Sequence, residues 1–126
     1  MLPDDRRYSR EHEWIRLDGA EGIIGLTEFA VTELGDIVYV ELPAVGSSLT
    51  QFASFGVVES VKAVSDLFAP ASGAVIAVNE ALRGQPELMN GDPHGDGWIC
   101  RITVASGDEL DALLDARAYE ALIGIE

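Results

Sequence analysis

Lysine is nearly missing from this sequence: of its eight basic residues seven are arginines, and Lys62 alone carries a side-chain amine. A guanidinium cannot replace an amine as an acylatable nucleophile, so a chain that uses arginine for every other cation points to chemistry at position 62. Cysteine is as scarce. Cys100 stands alone, which excludes an internal disulfide, and with no CxxC or spaced histidine companion it offers no thiolate metal site. A buried structural thiol is the expectation. A thiol enzyme pairing Cys100 with His12 or His94 would need a base in reach and a third orienting group, and no such group is evident. No stretch approaches the roughly 20 apolar residues that cross a bilayer, and the opening Met1-Leu2-Pro3-Asp4-Asp5 lacks the basic-then-apolar order of an export signal. A soluble, intracellular protein is expected. Basic residues are outnumbered 22 to 8, and the resulting net charge of -14 argues against nucleic acid and anionic membrane as partners while favouring basic protein surfaces.

What is present reads as one compact domain, residues 1–126, with 48% apolar and 24% charged residues. Glu11 to Leu17 alternates around Trp14 and Ile15, Asp18-Gly19 signals a tight turn, and Gly22-Ile23-Ile24-Gly25-Leu26 completes a hairpin. Thr27 is placed to cap a short helix over 28–34 that Gly35 ends. Ile37 to Leu42 is β-branched and aromatic and stops at Pro43, a strand. Phe55 to Val61 is another, Leu67-Phe68-Ala69 a short one, and Lys62 to Asp66 between them must reverse the chain. Ala74 to Val78 forms a further strand. The run from Asn79 to Gly97 reads as a long surface loop with a turn near Pro86-Glu87-Leu88, and Trp98 to Val104 is the last strand. Ser106 and Glu109 suggest a capping box for a helix over 108–114, and Asp115 caps a second over 116–123 that ends at Gly124. The pattern is mainly β: a small sandwich or flattened barrel with short helices at 27–34 and in a C-terminal tail of about 107–124.

Lys62 therefore falls at a β-hairpin tip. Glu59-Ser60-Val61 leads in and Ala63-Val64-Ser65-Asp66 leads out, with Val57, Val58, Val61 and Val64 favouring extended backbone on both arms. Such a tip is reachable, stiff and unambiguous, which is what an amine destined for enzymatic acylation requires. Glu59 and Asp66 would favour its ammonium form, so the base must come from the modifying enzyme.

The run Glu59 to Asp66 closely resembles the lipoylation segment of glycine cleavage H proteins. Tyr8 and Glu11-His12-Glu13-Trp14 match the amino-terminal signature of that family, and Leu34-Gly35-Asp36-Ile37-Val38 and Val40-Glu41-Leu42-Pro43 match its middle. Asn79-Glu80-Ala81-Leu82, Pro86-Glu87-Leu88, Gly97-Trp98, Asp108-Glu109-Leu110 and Leu113-Leu114 continue the match in order. The resemblance implies a lipoyl/biotinyl-carrier fold of the hybrid-motif type, with lipoic acid in amide linkage on Lys62. It implies a non-catalytic carrier that takes the aminomethyl group of glycine from glycine decarboxylase, the P protein, to aminomethyltransferase, the T protein. Dihydrolipoyl dehydrogenase, the L protein, then reoxidises the arm. A lipoate ligase, or an octanoyltransferase with lipoyl synthase, would install the cofactor, with Glu59, Ser60, Val61 and Ala63 as its recognition residues. The location implied is the cytoplasm, or the mitochondrial matrix for a mature eukaryotic form.

The resemblance also implies a cleft that shelters the loaded arm, with Glu13 and Asp66 near the methylamine and Leu26 and Leu34 as apolar wall. Two positions depart from the common pattern. Glu33 stands where many members have histidine, and the turn that often bears Lys-Gly reads Thr50-Gln51-Phe52-Ala53. A biotin carrier would flank the lysine with methionines rather than Val61 and Ala63, and an acyltransferase lipoyl domain would be shorter with a flexible linker. The nearer alternative is an H-like protein that relays lipoyl groups to 2-oxoacid dehydrogenase complexes.

Overall fold

The computed structural model describes residues 2–124. Nine strands, β1 (Arg7–Tyr8), β2 (Glu13–Asp18), β3 (Glu21–Leu26), β4 (Ile37–Glu41), β5 (Ser48–Leu49), β6 (Ser54–Ser60), β7 (Val64–Phe68), β8 (Gly73–Val78) and β9 (Cys100–Val104), form two antiparallel sheets among the described residues. One has the order β1-β2-β3-β9-β8-β5; the other, β4-β6-β7, carries the lysine hairpin. Ile15, Ile24, Leu26, Val75 and Ile102 of the first sheet share one apolar core with Ile37, Val40, Val58 and Leu67 of the second. The mainly β sandwich with short helices is thus the fold observed.

Helix α1 (Glu28–Leu34) begins and ends where its residues dictate. The Thr27 hydroxyl accepts from the Ala30 amide, and Gly35 leaves the helix at φ 82°, a conformation that suits a residue without a Cβ. Single-turn helices α2 (Ala81–Gly84) and α3 (Leu88–Gly91) follow β8, a 3-10 helix spans Gly107–Ala112, and α4 (Ala116–Ile123) is capped by Asp115.

Several local expectations are corrected. β2 starts at Glu13 rather than Glu11, and β9 at Cys100 rather than Trp98. The stretch 79–97 is no mere surface loop, because Leu82 and Met89 are fully buried and the Asn79 amide donates to the carbonyls of Asp96 and Trp98. The 108–114 helix is a 3-10 helix over 107–112 without a closed capping box. Ser106 accepts from the Asp108 amide, but the Glu109 carboxylate turns away to Ser72, accepting from its amide at 2.7 Å and its hydroxyl at 2.8 Å. A nearby tertiary pair of donors wins over the local one.

A second buried cluster on the outer face of the larger sheet joins Tyr8, Trp14, Ile23 and Tyr119. The Tyr8 and Tyr119 rings stack with centroids 4.8 Å apart, and the Tyr119 hydroxyl lies 2.7 Å from both Thr27 Oγ1 and His12 Nδ1. The C-terminal helix is thereby tied to the cap of α1. Tyr119→Phe is expected to cost about 1–2 kcal/mol, since it leaves His12 and Thr27 short of a partner without changing shape. Urea unfolding of the variant beside the wild type checks this.

Candidate functional site

The lysine bend is tighter than the sequence suggests. β6 ends at Ser60 and β7 begins at Val64, so Val61-Lys62-Ala63 alone reverses the chain, and Val64 to Asp66 already belong to the return arm. The return strand expected only from Leu67 is correspondingly longer at its start. Ser60 shapes the bend: its amide donates to the Ala63 carbonyl at 2.8 Å, and its hydroxyl accepts from the Ala63 and Lys62 amides at 3.1 and 3.3 Å. Ser60 is buried, Glu59 is half-buried, and Val61, Lys62 and Ala63 are exposed. Of the residues read as recognition elements, Val61 and Ala63 present their side chains freely, while Ser60 acts on the backbone of the turn.

The bend is also clamped from outside. The Val61 amide donates to the Asp36 carbonyl at 3.0 Å, and Asn90 brackets that same turn, donating to the Gly35 carbonyl at 2.9 Å and accepting from the Ile37 amide at 2.9 Å. Nothing local in the sequence marks Asn90, 28 positions beyond Lys62, as a support of the hairpin. The Lys62 stem passes Gly35, where an added Cβ would stand 3.5 Å from Lys62 Cε. None of the described ion pairs involves Lys62.

Beside the bend, between α1 and β7, lies a cleft of about 290 Å³. Glu13, Leu26, Leu34 and Asp66 all line it, so the four cleft residues meet in one place. Phe29 and Phe68 add apolar wall, and Glu11 and Glu33, the latter at the position where many members have histidine, add two carboxylates. The Glu13 side chain is buried. Its carboxylate accepts from the Ser9 hydroxyl at 2.6 Å and from the Phe68 amide at 3.0 Å, which joins the first sheet to the hairpin sheet.

Burial, only partly offset by those two donors, pushes the Glu13 carboxyl up from 4.5 to about 7. A raised carboxyl contributes stability that is full below the unfolded value and is lost as pH rises through the folded value. The resulting loss between pH 4.5 and 7 is on the order of 3 kcal/mol. Glu13→Gln mimics the protonated form, so its urea midpoint is expected to fall less than that of the wild type between pH 4.5 and 7.5.

The remaining titratable candidates are held by burial or by hydrogen bonds, although His12 also lines the cleft. Burial pushes the Cys100 thiol up to about 12, and the side chain lies wholly inside β9. His12 pairs with Tyr119, and His94 Nε2 accepts from the Glu28 amide; burial lowers both imidazoles below their ordinary value. At Phe52, in the turn that departs from Lys-Gly, the backbone is left-handed at φ 67°, a conformation glycine adopts without strain. No helix among the described residues is long and apolar enough to cross a membrane.

Two antiparallel sheets holding an exposed lysine on a three-residue bend constitute a lipoyl-carrier fold. Residues 6–125 match the glycine cleavage H-protein family model. The chain is 58% identical over 120 residues to the glycine cleavage system H protein of Symbiobacterium thermophilum, covering 95% of this chain and 94% of the relative. It is 54% identical over 123 residues to that of Carboxydothermus hydrogenoformans, covering 98% and 95%. A crystal structure of a glycine cleavage system H protein from Mycobacterium marinum superposes with a TM-score of 0.90 at 39% identity, covering 98% of this chain and 99% of that one. The chain belongs to the glycine cleavage H-protein family.

Proposed function

We propose that Lys62 carries lipoic acid in amide linkage and that the protein is the mobile carrier of glycine cleavage, serving the P, T and L proteins in turn. One observation supports this most: the sole lysine of the chain is exposed on a doubly anchored bend beside a carboxylate-lined cleft. The structure suits the group, since Lys62 is unpaired by any described acid and Gly35 leaves space along its stem. When bound, lipoate supplies a disulfide that accepts the aminomethyl carbon of glycine and releases it to the next enzyme.

The chain supplies placement and shelter. Ser60, Asp36 and Asn90 fix the direction in which the amine leaves the sheet. Leu26, Leu34, Phe29 and Phe68 exclude water from the cleft, and Glu13 and Asp66 complement an ammonium end there. The acidic lining suits a charged amine and gives no advantage to a neutral arm. A lipoate ligase, or an octanoyltransferase with lipoyl synthase, would read the exposed Val61-Lys62-Ala63 tip. The relatives compared above all bear the glycine cleavage name, and no observation favours a relay of lipoyl groups to other complexes.

Incubation of the apo protein with lipoate, ATP and a lipoate ligase should add one lipoyl mass, localised to Lys62 by peptide mass spectrometry. Glycine decarboxylase should then load it. Addition elsewhere, or no loading of the lipoylated protein, would refute the reading. Glu13→Gln should shorten the lifetime of the loaded arm roughly tenfold and the exposed Asp66→Asn about threefold, measured as ammonia release after removal of the decarboxylase.

A further inference from the structure

On the outer face of the larger sheet, away from the core that faces the lysine hairpin, a second cavity of about 290 Å³ lies between the strands and the segment around His94. It is lined by Trp14, Arg16, Ile23, His94, Gly95, Trp98 and Arg101. Its composition opposes that of the molecule. The chain carries 22 acidic residues, yet among the described residues none lines this cavity, whereas both tryptophans and two of the seven arginines do. The carrier role absorbs none of them.

The strand register places these groups. Arg16 lies opposite Ile23 and Ile23 opposite Arg101, so two guanidiniums flank an apolar floor across β2, β3 and β9. Arg101 is held by one nitrogen, Nη1, which donates to Asp18 at 3.0 Å and to Glu21 at 2.7 Å; those two acids offset its charge. Arg16 has no ion pair or side-chain hydrogen bond among the described residues; the Asp5 carboxylate acts on it only through space, so its hydrogen-bonding fork is unoccupied. Trp14 is immobilised: its indole N–H donates to the Leu26 and Pro93 carbonyls at 2.9 and 3.0 Å, and the Arg6 guanidinium sits 4.6 Å from its ring centroid. His94, its Nε2 occupied by the Glu28 amide, stands edge-on to Trp14 with centroids 6.4 Å apart.

Two indoles and an isoleucine select a flat apolar body, and a free planar guanidinium selects a carboxylate by two parallel hydrogen bonds. The volume is at the small end of sites that hold organic ligands. We propose that this cavity is a binding site for a small aromatic carboxylate, in which the ring packs against Trp98 and Ile23 and the carboxylate pairs with Arg16.

The two indole N–H resonances of the protein both belong to the pocket, so nitrogen-15 spectra of the intact chain read it directly. Titration with 2-naphthoate should shift both signals saturably, and 2-naphthamide, equal in shape but neutral, should bind at least about tenfold more weakly. Arg16→Gln should lose a similar factor, while Lys62→Gln should bind as the wild type does. Non-saturating shifts, equal binding of acid and amide, or full affinity in a folded Arg16→Gln variant would each overturn the proposal. The acid-amide comparison needs no variant and decides the matter even if Arg16→Gln does not fold.

Discussion

Lys62→Arg is expected to give a folded protein that accepts no lipoyl group and supports no glycine cleavage above the rate seen without a carrier. The side chain is exposed, makes no described ion pair and is held by nothing beyond its own backbone, so stability should stay within about 0.5 kcal/mol of the wild type. Function should not survive. A guanidinium keeps its charge at any accessible pH and cannot form the amide, and no second lysine exists to take over. Intact mass after treatment with ligase, together with glycine-dependent carbon dioxide release in the reconstituted system, checks both halves. A substantial rate with the arginine variant would show that carriage does not depend on this amine.

Gly56→Ala should do the reverse, sparing the chemistry of Lys62 while weakening the fold. A Cβ at Gly56 would lie 2.4 Å from the Glu41 carbonyl oxygen, a backbone atom that cannot rotate away. β4 pairs with β6 through Val40–Val58 and Glu41–Val57 just beyond that point, so relief requires the strands to separate. A penalty of about 3 kcal/mol is expected, lowering the melting temperature by on the order of 10 °C. Calorimetry of the apo protein measures it. Retention of one lipoyl increment at low temperature would show that the amine is untouched, and a melting temperature within a degree or two of the wild type would contradict the packing argument.

The parts of this architecture that were legible in the sequence are those with an internal signal. Alternation marks β2 and β9, the Asp18-Gly19 turn marks β3, Thr27 and Gly35 mark both ends of α1, and the scarcity of lysine marks position 62. Two-residue strands such as β1 and β5 have no period to detect. The start of the return arm is hard to place because Ser65 and Asp66 both separate Val64 from Leu67, which breaks the two-residue alternation a half-buried strand would show. Glu109 shows why a local motif fails: capping its own helix and bonding Ser72 are alternatives for one carboxylate, and only the packed chain brings Ser72 near. The cleft residues were named by family resemblance, but the burial of Glu13 depends on Ser9 and on the Phe68 amide, 55 positions away, and no short-range pattern announces it.

The sequestered Cys100 has a consequence for the redox life of the carrier. A tethered dithiolane is open to exchange with any thiolate in reach, and a reactive sulfhydryl on the same polypeptide would trap it as a mixed disulfide. Here the only protein sulfhydryl is enclosed in a strand and held protonated. The polypeptide is thus an inert electrode holder, and the oxidation state of a lipoyl arm on Lys62 would answer only to the enzymes and small thiols that visit it.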